Sequence, residues 1–192
     1  FMSRSWIWLV IAAIALLAVP LVVRNEFYLN LASQILIYAL LAVSLNILLG
    51  YGGMVSLGHA AFLGLASYAA VLLLNAGLGH LASAVLALAF STACGAVFGM
   101  LALRASGIGF LMITLALGQI VWGIAYRANT ITDGDNGLRY AARPAPFGID
   151  INPAPNFYWF TLAVFAIALF LIWRLTRSPF GAALQGARDQ PR

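Results

Sequence analysis

The chain of 192 residues contains no lysine; all ten of its basic residues are arginines. A nucleotide-binding P-loop needs a lysine to reach the phosphates, so the chain is not its own P-loop ATPase. Schiff-base chemistry on lysine is excluded with it. Charge is scarce altogether, at 8% of residues against 64% hydrophobic, where a soluble domain is about a quarter charged. That is too little charge for a water-facing surface and indicates an integral membrane protein in contact with lipid. The net charge of +5 does not indicate nucleic acid, because the arginines stand singly between apolar runs with no basic stripe or interleaved aromatics. Cys94, the only cysteine, lies inside an apolar run. It excludes a disulfide framework or thiolate metal cluster and reads as a small buried apolar residue.

Six apolar segments are present: Trp6 to Val23, Leu29 to Leu49, Ala60 to Asn75, Leu81 to Leu103, Ile108 to Tyr126 and Phe157 to Trp173. A spanning helix needs about 20 residues, within roughly 17 to 25. Five segments meet that length, and the third, at 16 residues, needs part of the preceding glycine-rich stretch to complete it. The first lacks a clear cleavage site and reads as a retained membrane helix rather than a signal peptide. The expected fold is therefore all-α, a polytopic bundle of about six spans forming a single domain over residues 1–192. Residues 127–156 hold Pro144, Pro146, Pro153 and Pro155 with most of the acidic residues, and read as an extramembrane loop.

Arginine placement sets the expected orientation. With the N-terminus inside, the inner side receives Arg4, Arg104, Arg174, Arg177, Arg188 and Arg192 with Asp189. The outer side receives Arg24, Arg127, Arg139 and Arg143 with Glu26, Asp133, Asp135 and Asp150. The excess of positive charge inside places both termini in the cytoplasm and the proline-rich loop outside.

No acid or arginine falls near the centre of a span, and the second segment carries only uncharged polar residues, Asn30, Ser33, Gln34, Ser44 and Asn46. Proton-driven carriers usually need intramembrane ionisable groups, so this pattern fits a permease powered from elsewhere. His59 and His80 fall near opposite faces, the acids all lie in the breaks, and no nucleophilic, HExxH or paired-carboxylate set can be assembled. No catalytic, metal or cofactor site is expected.

The stretch GYGGMVSLGHAAFLG, residues 50–64, is too apolar for a soluble loop and too rich in glycine for a regular helix. Irregular backbone at membrane depth survives only buried in protein or lining a wet cavity, and transporters place substrate at such discontinuous helices. A broken helix with its break at Gly50 to Gly53 is therefore expected. Gly50, Gly52, Gly53, Ser56, His59, Ala60 and Gly64 are candidates for lining a substrate path. Gly53, Ser56, Ala60, Gly64 and Ser67 would share one face if helical. His59 reads first as a helix-end or packing residue. In the fourth segment, Ser91, Gly95 and Gly99 form a small-residue stripe that reads as helix packing.

Four motifs resemble one family. GYGGMVSLGHAAFLGLASYAAVLL resembles the signature of the permease subunits of branched-chain amino acid ABC importers. ALRASGIGFLMITLALGQI resembles that family's later LR-x-x-G-I stretch, NTITDGDNGL its external T-G-G-x-N-G-L turn, and RSPFGAALQGARDQ its cytoplasmic S-P-F-G-R loop. The resemblance implies a permease moved by alternating access, with ATP hydrolysed on two separate ABC ATPase subunits. It also implies a second permease subunit, identical or homologous, and an extracytoplasmic substrate-binding protein, in a bacterial inner membrane. It assigns Thr132, Gly134, Asn136 and Gly137 to the external turn. Residues 174–192 become a cytoplasmic coupling loop, with Ser178, Pro179, Phe180, Gly181, Leu184, Arg188 and Asp189 as the ATPase-coupling candidates. Pro179 suits a first helical turn and Ser178 its N-cap. The sequence departs from the pattern at Ala182, where the family has arginine, and at Asp133, where it has glycine. Family chains continue through further spans beyond the coupling loop, which implies that this one is a fragment. Related permeases for urea or short amides share these motifs, and an ATP-independent carrier, a channel or a structural membrane subunit are the readings from other classes.

Overall fold

The computed structural model describes residues 2–23, 25–139 and 150–189. Arg24, Arg143, Pro144, Pro146 and Arg192, used above for orientation and for the loop, lie outside the described residues. Among the described residues the regular structure is all helix, without strands. The main helices are α1 (Met2–Val22), α2 (Glu26–Asn46), α3 (Ala60–Asn75), α4 (His80–Ala102), α5 (Ile108–Arg127), α7 (Ala154–Thr176) and α8 (Pro179–Asp189). A single turn, α6 (Asn129–Thr132), and a 3₁₀ turn, Gly134–Asn136, follow α5. Four helices are long and apolar enough to cross a membrane: α2 with its extension to Tyr51, α4, α5 and α7. Ile11–Val22 of α1 and Ala60–Asn75 are shorter apolar helices. Large apolar side chains cover the outside, among them Phe27, Ile108, Ile167 and Phe170, as expected for a surface solvated by lipid tails.

Packing follows two pairs. α2 and α7 are principal partners, and each buries a stripe of the same spacing: Leu29, Ser33 and Leu36 on one, Ala154, Tyr158 and Thr161 on the other. That spacing of four and three is one face of a helix. α3 and α4 form the second pair, joined through small residues. Ser83 and Ala87 are buried, the Ser91 hydroxyl donates to the Phe62 carbonyl at 3.0 Å, and Gly95 faces the Phe62 ring. Small side chains let helices approach closely where no hydrophobic effect draws them together. α5 rests on both α3 and α4.

Three boundaries differ from expectation. The disturbance in the second helix begins before the glycines, at Ile47, where the helix widens into a π-helical turn through Tyr51. Residues 52–59 are then irregular, so Gly53 and Ser56 do not share a helical face with Ala60, Gly64 and Ser67. Finally, α7 takes in residues 154–156 of the expected loop and runs through Thr176 of the expected coupling loop. At its start Pro155 sits in the first turn, where a missing N–H costs the helix nothing.

Candidate functional site

The irregular segment is held by side chains rather than by a helical ladder. The N–H of Leu57 donates to Thr114 Oγ1 at 3.2 Å, while that hydroxyl donates to the Leu111 carbonyl at 3.0 Å. Gly58 lies directly on the Thr114 carbonyl, so close that a Cβ there would collide with it, and also meets Gly118. His59 Nε2 and Ser44 Oγ are 2.7 Å apart, bracing the segment against α2, and the imidazole stands edge-on to Phe62. These contacts let a half-span of non-helical backbone exist within the bundle: the residues packed around it supply polar partners that lipid would not.

A cavity of about 580 Å³ lies between α3 and α5, a size suited to a small-molecule ligand. Gly58, Ala60 and Gly64 form part of one wall, Gln119 and Trp122 the opposite one, and Thr132, Gly134 and Asp135 the end beyond α5. A second cavity of about 210 Å³ lies on the other side of the irregular segment, lined by Ser56, Met54, Phe98 and Phe110. Gly58 and Thr114 are common to the second cavity and the contact described above.

Of the path-lining candidates, Ala60 and Gly64 line the larger cavity and Ser56 the smaller one. His59 lines neither and is instead a brace. Gly50 and Gly53 meet α8: Arg188 Nη1 donates to the Gly50 carbonyl at 2.7 Å, and its stem covers Gly53. Gly52 packs on Leu48 and Met54. Gln119, Trp122, Tyr68 and Asp135 were not among the sequence candidates. Leu115, Gln119, Trp122 and Tyr126 recur at four, three and four along α5, and Gln119 is a polar residue inside an apolar run. That face was the available signal.

The turn beyond α5 is compact. The Thr132 hydroxyl bonds to the carbonyls of Ala125 at 2.5 Å and Ala128 at 2.9 Å. Asp133 has φ 59°, a left-handed conformation, which explains why glycine suits that position. Thr132 and Gly134 line the cavity; Asn136 and Gly137 complete the turn without lining it.

At the other end, α8 begins at Pro179 as expected, but the Ser178 hydroxyl turns back to the Leu175 carbonyl at 2.6 Å. Phe180 is exposed, Leu184 half-buried and Gly181 buried against the backbone of Thr176. Asp189 closes the helix. Arg177 stacks over the Trp173 ring, 4.6 Å from its centroid, one turn back at the end of α7. Among the described residues no group of histidine, cysteine and acidic side chains is arranged to hold a metal ion.

Comparison with known proteins matches residues 27–192 to the family model described as the permease component of branched-chain amino acid transport systems. Two curated relatives are high-affinity branched-chain amino acid transport system permease proteins LivM. The one from Salmonella typhimurium is 29% identical and the one from Escherichia coli 28%, each over 83% of this chain. The chain spans 43% of the length of each of these relatives. No solved structure matches the chain significantly.

Proposed function

The chain belongs to the family of branched-chain amino acid transport permeases, and on that premise we propose that it forms membrane-spanning substance of an ATP-driven importer for branched-chain amino acids. The observation that carries this reading is the cavity between α3 and α5, closed at one end by Gly58 on Thr114 and reaching the turn at Thr132–Asp135 at the other. Its walls suit an aliphatic side chain. Asp135 offers the one carboxylate among the lining residues, at the end of the cavity beyond α5, and suits the ammonium group of an arriving substrate.

The turn at 132–137 then faces outward, where an extracytoplasmic binding protein delivers substrate. Both termini face the cytoplasm in a bacterial inner membrane. Two ATPase chains supply ATP hydrolysis, and a second permease subunit completes the pathway. α8 is the docking element, with Phe180 as its exposed apolar anchor. ATPases that bind one conformation more tightly than the other shift the population between outward- and inward-open states. The chain itself carries no cofactor in this reading.

Reconstitution of the full-length protein with its ATPases and binding protein in liposomes tests it. Leucine uptake that requires ATP and binding protein is expected. Uptake without either sinks the importer reading, and uptake of urea in preference to leucine reassigns the substrate.

A further inference from the structure

The helix that follows α7 is fastened to the broken end of α2. The carbonyls of Ile47, Leu48 and Leu49 accept from the N–H groups of Gly52, Met54 and Gly53. The next carbonyl, Gly50, accepts from Arg188 Nη1 at 2.7 Å, across 138 positions of sequence. The guanidinium therefore continues the capping of the helix where the backbone leaves it, and sets positive charge at the negative end of the dipole. The arginine stem lies on Gly53. A Cβ at Gly53 would stand 2.5 Å from Arg188 Cγ and 3.2 Å from Cδ, and its φ of +66° is one that side chains avoid. Contact between α8 and the π-helical turn is a feature of the packing as a whole.

From Gly53 a short non-helical link leads to Gly58, which is wedged on Thr114 at the cavity wall. The link is pinned at both ends, by Arg188 at one and by Thr114 at the other. From this geometry we infer that Arg188 is a positioning residue that latches α8 to the helix break, so that displacement of α8 is passed along residues 50–58 to the wall of the cavity. This rests on the importer reading, in which α8 is moved by the ATPase. It reassigns Arg188: the guanidinium reaches this chain's own backbone, while the exposed Phe180 remains available for docking.

The test uses the full-length permease assembled with its ATPases and binding protein. Arg188→Gln is expected to leave ATPase co-purification and ATP hydrolysis intact while substrate moved per ATP falls about tenfold, the scale of one charge-assisted hydrogen bond. Arg188→Lys, which keeps a stem and a charged donor, should recover part of that loss. Gly53→Ala should reproduce the defect, and the double variant should be no worse than either single one. A loss of co-purification and hydrolysis in step with transport identifies Arg188 as a docking residue and overturns the latch; unchanged coupling overturns it as well. A direct readout separates this from the importer reading. Spin labels on Leu49 and Gln185, in a Cys94→Ala background, should give a narrow distance distribution that broadens in Arg188→Gln. If the distribution does not change, the latch is wrong even where transport proves ATP-driven; if transport proves ATP-independent, the label pair still decides whether the latch exists.

Discussion

The Tyr158 hydroxyl donates to the carbonyl of Leu16 at 2.8 Å, and Leu16 stands four residues before Pro20 in α1. A proline lacks the N–H that would bond to that carbonyl. Tyr158, fully buried in α7, therefore supplies the donor that α1 lacks and joins the first helix to the seventh.

Tyr158→Phe is expected to destabilise the protein by roughly 1–2 kcal/mol, the cost of leaving a carbonyl unsatisfied. In a Pro20→Ala background the helix supplies its own donor and most of that cost should vanish. Thermal unfolding of the four variants in detergent measures the coupling; equal costs in both backgrounds would show that Tyr158 acts through packing alone.

Ser44 and His59 form a second polar pair, half-buried. Ser44→Ala leaves the imidazole short of a partner and should cost about 0.5–1.5 kcal/mol. Adding His59→Phe should return part of the loss, because both polar groups are then gone. A double variant less stable than Ser44→Ala would contradict the pairing.

Gly64 has open space around its missing side chain and lines the larger cavity. Gly64→Leu should fill part of that volume, lowering leucine uptake at least about tenfold while leaving assembly intact, since overpacking costs fall on the occupant rather than on the fold. Gly58→Ala makes the contrast. Its Cβ meets the Thr114 carbonyl, so expression and thermal stability should fall along with uptake. Full uptake in Gly64→Leu would remove this cavity from the pathway.

Asp133 adopts a left-handed backbone. Asp133→Gly relieves the crowding of its Cβ and should stabilise the turn by roughly 0.5–1 kcal/mol, partly offset by the freedom glycine gains in the unfolded chain. Hydrogen exchange of the amides around Thr132 should slow accordingly; faster exchange would mean that the Asp133 side chain contributes more to the turn than its backbone costs.

Gly181 is a poor probe of docking. It is buried on the Thr176 backbone, so Gly181→Arg displaces α8 itself. Phe180→Ala is the cleaner test: the side chain is exposed, and its loss should reduce ATPase co-purification without changing the unfolding temperature of the isolated permease.

The helices were legible in the sequence because lipid imposes long apolar runs, and observed helix ends fall within a few residues of those runs. The break was legible as a cluster of glycines, but its start was not: Ile47, Leu48 and Leu49 are ordinary helix residues, and nothing in their pattern marks where the helix widens. Half of the cavity was visible through Ala60, Gly64 and Thr132. The other half comes from α5, whose lining face reads in sequence like any apolar span apart from Gln119. Arg188 and Gly50, or Tyr158 and Leu16, meet across more than a hundred positions. No local pattern marks such pairs, because each depends on where two distant helices end.

The brevity of α3 has a consequence for how the chain enters the membrane. Its 16 residues extend about 24 Å at 1.5 Å each, short of the roughly 30 Å hydrocarbon layer. The residues before it carry backbone amides that lipid cannot satisfy. Such a segment is poorly suited to partition alone. α4, long and apolar, follows after a tight connection and offers a Ser91 hydroxyl to α3's own backbone. Insertion as an α3–α4 hairpin, with the irregular stretch settling onto α5 only after α5 arrives, is the order of assembly this architecture favours.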